Sequence, residues 1–240
     1  YAIVPDYYNG IVPKVVAKVG EKVKAGSVLM IDKNRPEIKF VSPVSGEVTA
    51  VNRGEKRKVL SVVVKPEAQI EYEDFGKKNV ASLKREEVKE AILHAGMWPF
   101  IKQRPYDIVA SPADEPRDIF VSAFYSAPLA PNFDFVVKGQ EVDFQTGLDA
   151  LAKLTDGKVY VGIRKGSSVS VKGVETVEVE GPHPAANVGV QINHIKPINK
   201  GEVVWTVNPA DVIVIGRLFN KGIADFSRLV VITGSETTER

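Results

Sequence analysis

Apolar residues in the N-terminal part of the chain come in short runs: "GIVPKVVAKV", "SVLMI", "EIKFV", "GEVTAV" and "KVLSVVV". Turn residues close them at Gly20, Gly26, Asn34-Arg35-Pro36, Pro43, Gly46 and Gly54. Many short strands punctuated this closely predict a small all-β barrel or sandwich over residues 1–66. After Pro66 the stretch "EAQIEYEDFGKKN" turns charged, and residues 67–117 read as a linker with one helix. That helix is predicted in "SLKREEVKEAILHAG", where Val88, Ala91, Ile92 and Ala95 recur at helical spacing. Ser82 is its expected N-cap, and Gly96 stands where a left-handed residue ends a helix. The proline-rich segment 97–116 reads as an ordered but irregular connection.

From Asp118 the rhythm changes to strands alternating with helices. "IFVSAF", "KVYVGIR", "VETVEVE", "EVVWTV" and "RLVVITG" read as strands, and 143–157 as a helix. "NPADVIVIGRLFNKG" carries its own punctuation: Asn208 as cap, Pro209 in the first turn, Asp211 at the positive end and Gly222 as the stop. This alternation predicts an α/β, Rossmann-like domain over 118–240 with a largely parallel sheet.

Composition narrows the functions. A hydrophobic fraction of 44% and a charged fraction of 26% are those of a globular chain. The net charge of +2, from 32 basic and 30 acidic residues, leaves no basic stripe and argues against nucleic acid as a partner. The absence of Cys removes disulfides, thiolate catalysis, Cys-built zinc sites and Cys-held iron–sulfur clusters. The uncharged stretch 119–133 carries Pro128 and Pro131 and falls short of the ~20 apolar residues of a membrane span. The chain starts at Tyr1 without an initiator Met, which is expected of a trimmed fragment.

Three places carry candidate chemistry. Gly10-Ile11, Val19, Gly20, Val23, Gly26, Leu29, Asp32-Lys33, Ser42-Pro43 and Gly46 resemble the first half of a lipoyl/biotinyl-type carrier domain. In such a domain Lys33 would be the modified lysine. The hairpin after Lys33 is long and contains Pro36, and the second half-repeat is replaced by "NRGEKRKVLSVVVKP", so a solvated lysine is the expected reading. In the α/β part, "IFVSAF" is followed by "YSAPLAPNF" and not by a glycine-rich turn. Prolines there remove the N–H donors that a pyrophosphate needs. "VGIRKGSSVSVKG", with Gly162, Gly166 and Gly173, reads as a turn or hairpin. In "EGPHPAANVGVQINHI", His183 and the N–H groups after Pro184 are expected at the functional edge of the sheet, opening a helix. A histidine there could bind an anion, donate to a quinone carbonyl or act as an acid or base, and His183, Pro184 and His194 are the candidate ligand or quinone-proximal positions. A His183 held between two prolines to shape the loop is the expected reading, since no carboxylate stands near it in sequence, and His194 reads as a half-buried packing residue. His94 near a helix C-terminus complements the dipole. No nucleophile signature and no metal spacing occurs, so no catalytic, cofactor-binding or metal residue is assigned.

The segments "VGEKVKAG…DKNRPEIKFVSPVSGEVTAVNRGEKRKVL", "ASLKREEVKEAILHAGMWPFIKQRPY", "GLDALAKLTDGKVYVG", "GPHPAANVGVQINHIKPI" and "DVIVIGRLFNKG" resemble, in order, the A subunit of the sodium-translocating NADH:quinone oxidoreductases. The resemblance implies a barrel-sandwich hybrid module followed by an α/β domain, with a further domain beyond Arg240. It implies a peripheral subunit on the cytoplasmic face of a bacterial inner membrane, docked to the other subunits of a respiratory complex and reaching the membrane through them. Flavins and an iron–sulfur centre are implied in those partner subunits and none in this chain; quinone is a candidate substrate. Docking and assembly, with quinone access, is the role expected of the chain, and a carrier acting through Lys33 is the alternative.

Overall fold

The computed structural model describes residues 1–235. The N-terminal strands are β1 (Ala2–Ile3), β2 (Pro13–Val15), β3 (Lys22–Val23), β4 (Val28–Asp32), β5 (Lys39–Val41), β6 (Gly46–Arg53) and β7 (Val59–Pro66). They form two sheets, ordered β1-β7-β6-β3 and β2-β4-β5. Leu29, Val44, Val48, Val62 and Val64 fill the space between. The long β6–β7 pair shifts register after Val48 and after Asn52, and such bulges add the twist that lets a small sandwich curl.

The second unit contains α1 (Arg85–His94), β8 (Lys102–Arg104), β9 (Ile108–Val109), β10 (Asp118–Ser122), α2 (Phe133–Val137) and α3 (Glu141–Lys153). It continues through β11 (Val159–Arg164), β12 (Glu175–Val179), α4 (Val188–Ile195), β13 (Val204–Thr206) and α5 (Pro209–Lys221). One six-stranded sheet has the order β12-β11-β10-β13-β8-β9. Its first four strands are parallel, and β8 and β9 extend it antiparallel. Every residue of β10 is buried, as a strand covered on both faces requires. Ile119 and Val121 point into the large core with α3 and α5, whereas Phe120 and Val204 meet Ile192 of α4. The α3–α5 crossing depends on glycine. A Cβ on Gly216 would lie 1.7 Å from the Asp143 carbonyl oxygen, and one on Gly147 2.0 Å from that of Val212.

Several expectations change. Segment 97–116 is not an irregular connection, because Trp98, Ile101 and Val109 are buried and β8 pairs with β13. The stretch 67–117 thus carries, besides its helix, two strands of the α/β sheet. Ser82 does not cap α1. It ends a short 3₁₀ turn capped by Asn79, and the Glu87 carboxylate accepts from the Lys84 N–H (2.8 Å) where the helix begins. The helix expected over 143–157 runs from Glu141 to Lys153, since the Thr155 hydroxyl donates to the Pro116 carbonyl (2.7 Å) and turns the chain away. "RLVVITG" forms no strand among the described residues. Val230 and Ile232 are exposed, and strand propensity without a neighbouring strand builds nothing.

The two units share apolar contacts. Met30, Ile38 and Phe40, on or next to the β4–β5 hairpin, belong to the same buried cluster as Trp98, Ile101 and Val109. Within the N-terminal unit, Phe40 meets the Tyr8 ring edge-on at 4.8 Å between centroids.

Candidate functional site

Lys33 is exposed, but the loop that carries it is fixed. Next to it the fully buried Asp32 carboxylate accepts from the Val12 N–H (3.0 Å), the Asn34 N–H (3.1 Å) and Arg35 Nε (2.8 Å). Arg35 then donates to the carbonyls of Gly10 (3.0 Å) and Val109 (3.1 Å). The hairpin is tied to the first strand-to-strand connection and to β9, which is the opposite of a free swinging tip.

One open feature of the α/β unit is a cleft of ≈ 470 Å³ at the carboxyl ends of β10 and β13. The sheet places it there. From β10 the chain passes to β11 and β12 on one side and returns to β13 on the other, so the connections part between β10 and β13. Ligands of open α/β sheets bind at such a point. Phe100, Phe124 and Tyr125 give it aromatic walls, and Lys102, Thr206 and Asp211 are polar groups within it.

His183 sits at the rim, exposed, with Nδ1 3.2 Å from Ser126 Oγ. The N–H groups after Pro184 are not free donors. Ala185 donates to the Pro182 carbonyl (2.9 Å), Ala186 to Ser126 Oγ (3.1 Å) and Asn187 to the Pro184 carbonyl (2.7 Å). Ser122 Oγ donates to the Ala186 carbonyl (2.8 Å) and accepts from Gln191 Nε2 (2.9 Å), fastening this loop to β10. The same glutamine explains Gly162, which lies within β11 and not in a turn. A Cβ there would stand 2.2 Å from Gln191 Oε1. His194 is exposed in the last turn of α4 and does not line the cleft. His94 meets the Phe75 ring edge-on at 5.4 Å.

Charge inside the cleft is nearly balanced. Asp211, in the first turn of α5, is buried and ion-paired to Arg228, which also lies 5.4 Å over the Phe100 ring. Burial pushes the Asp211 carboxyl above its ordinary pKa, against the pull of Arg228 and Lys102. Burial likewise raises the Tyr8 and Tyr125 phenols, with Asp211 adding to the effect and Arg228 opposing it. Lys102 Nζ is buried with no hydrogen-bond partner among the described residues and lies 5.0 Å from the Tyr8 ring centroid. Burial lowers its pKa, while Asp107 and Asp211 act the other way. The N-terminus of α5 offers no phosphate cradle: Pro209 has no N–H, Ala210 donates to Asn208 Oδ1 (3.0 Å), and Asp211 to the Asn208 carbonyl (2.9 Å). Among the described residues no group of three His, Asp or Glu side chains could hold a metal ion.

The sequence thus leads to the rim of the cleft through His183 and misses its interior, and Pro184 does not line it. Lys102 and Asp211 line it because β8 adds to β13 after a long excursion of the chain, and Arg228 is ion-paired to Asp211. A lysine inside the apolar run "WPFIKQ" was the available signal.

Comparison with known proteins is specific. Residues 1–67 match the family described as "NqrA N-terminal barrel-sandwich hybrid domain", and residues 83–224 match "NqrA second alpha/beta domain". The A subunit of the Na(+)-translocating NADH-quinone reductase of Neisseria meningitidis serogroup A is 37% identical over 243 residues, covering 99% of this chain and 54% of that protein. The protein of the same name from Hahella chejuensis is 37% identical over 238 residues, covering 97% of this chain and 53% of its own length. That of Yersinia pestis is 35% identical over 243 residues, with 99% and 54% covered. The chain spans about half the length of these relatives.

Proposed function

The chain belongs to the NqrA family, and from this premise we propose that it serves in the A subunit of a sodium-translocating NADH:quinone reductase. The observation that carries the reading is the succession of both family domains, in order, along the chain. In this proposal the chain is a docking and assembly part of the complex, peripheral on the cytoplasmic face of the membrane. None of its helices among the described residues is long and apolar enough to cross a membrane, and in this reading contact with the bilayer runs through partner subunits. Electron transfer belongs to flavins and an iron–sulfur centre in those partners, and sodium passage to their spans.

The cleft is the part of this chain suited to quinone access. It is partly apolar, aromatic-walled and within the usual size of small-molecule sites, roughly 300–1,000 Å³. Affinity purification of the full-length protein from native membranes tests the reading. Recovery with a flavin- and iron-containing assembly that oxidises NADH supports it; a lone soluble protein with no such partners overturns it.

A further inference from the structure

The tip of the β6–β7 hairpin carries residues that its backbone does not favour. Glu55, Lys56, Arg57 and Lys58 make a tight turn, closed by the Lys58 N–H on the Glu55 carbonyl (3.0 Å). Both central residues are left-handed, Lys56 at a φ of 52° and Arg57 at 62°. Two consecutive left-handed residues mark a type I′ turn, which Asn-Gly fills at little cost. A residue with a Cβ is strained there. The turn thus holds two cations where local stability asks for Asn-Gly, and strain kept at an exposed tip calls for a use.

Among the described residues, no ion pair uses these charges. Lys56 and Arg57 are exposed, and Glu55, the one carboxylate of the turn, pairs with neither. Arg53 donates to the Arg57 carbonyl (3.1 Å) and braces the turn from below. Lys58 pairs with Asp6 (2.7 Å), which brings the exposed Tyr7 beside the hairpin. The exposed Leu60 lies over Gly54, where a Cβ would stand 3.3 Å from its Cδ2. An arginine and a tyrosine around a small knob have the composition of a protein interface. A contact with anionic lipid gathers about four to eight basic residues and has no need of a strained, fixed turn.

We propose that this tip is a docking knob, and that Lys56 and Arg57 pair with carboxylates on an acidic face of a partner subunit. The step rests on the reading of the chain as a docking part of a larger assembly, and adds the surface and the chemistry of its partner. Arg57 offers a fork of donors that matches a carboxylate, and Lys56 a point charge beside it.

The test sets stability against docking. In the full-length protein, Lys56→Asn with Arg57→Gly gives the turn its preferred residues and removes both charges. Its urea midpoint is expected to rise. Its affinity for membranes of the source organism that lack only this subunit, read by co-sedimentation, is expected to fall about tenfold. Lys56→Arg, which keeps both charges, is expected to bind as the wild type does. Added salt should weaken the wild type more than the double variant. If the double variant docks as the wild type does, the knob is overturned and the docking reading stands. A lowered urea midpoint in the double variant would remove the strain on which the knob rests, and overturn it too. If the wild type sediments equally well with vesicles of lipid extracted from the same membranes, the occupant is the lipid surface and the acidic partner is overturned. If the wild type binds neither the depleted membranes nor the vesicles, the docking reading fails and the knob with it.

Discussion

The β4–β5 hairpin and the cleft at the sheet edge each bury an aspartate beside an arginine, and the two sites are finished differently. At the hairpin Asp32 accepts from two backbone N–H groups and Arg35, and Arg35 gives two further donors to carbonyls. Each polar group there answers another within the chain. At the cleft, among the described residues, Asp211 is ion-paired to the half-exposed Arg228 alone, and Lys102 Nζ is buried without a hydrogen-bond acceptor. A saturated network fixes a shape, and an unsaturated one next to an apolar cavity is where a ligand can add something, which makes the cleft the functional candidate.

Three substitutions would break or sharpen this contrast. Asp32→Ala strands Arg35 and two backbone donors in a buried setting and should cost about 4 kcal/mol, read as a lowered urea midpoint. A loss below about 1 kcal/mol would remove the structural role of the hairpin network. Asp211→Asn should change stability by about 1 kcal/mol or less at pH 7, because Arg228 can turn to water. Its pH dependence is the sharper test. The folded-state pKa of Asp211 is raised, chiefly by burial, so its contribution is full below the unfolded value, ~3.9, and is lost as pH rises through the folded one. Asp211→Asn should therefore gain on the wild type as pH climbs from ~4 and level off once Asp211 is ionised. Urea midpoints at a series of pH values would show the trend, and a flat difference would contradict it. Lys33→Ala should change stability by less than about 0.5 kcal/mol, and an intact mass of the native protein should carry no lipoyl or biotinyl adduct on Lys33.

Where local rules suffice, the sequence was legible. Asn208 caps α5 through the Ala210 N–H (3.0 Å), and Gly222 ends the helix at a φ of 73°, as the spacing of "NPADVIVIGRLFNKG" predicts. The strand runs of the barrel and the alternation after Asp118 were readable for the same reason, since period and turn residues are short-range signals. Ser82 failed because Asn79 and Glu87, three residues away on one side and five on the other, supply competing side-chain acceptors. "RLVVITG" failed because propensity does not supply a pairing partner. The cleft interior was the least legible. Lys102 and Asp211 lie far apart in sequence, and their meeting depends on an antiparallel strand addition that leaves no periodic trace. The strand-to-helix loop of His183 is a local feature and was legible as such, yet the donors expected free in it are engaged by Pro182, Pro184 and Ser126.

The apolar cluster that runs from Met30, Ile38 and Phe40 to Trp98 and Ile101 has a consequence for heat and for cutting. Side chains that share one packed interior lose it together. Calorimetry of the protein should therefore record one endotherm for barrel and sheet, with no early peak for a melting barrel. Scission after residue 66 would leave each fragment with a wet greasy face, prone to clumping. A boundary that looks clean along the chain runs through the middle of a core.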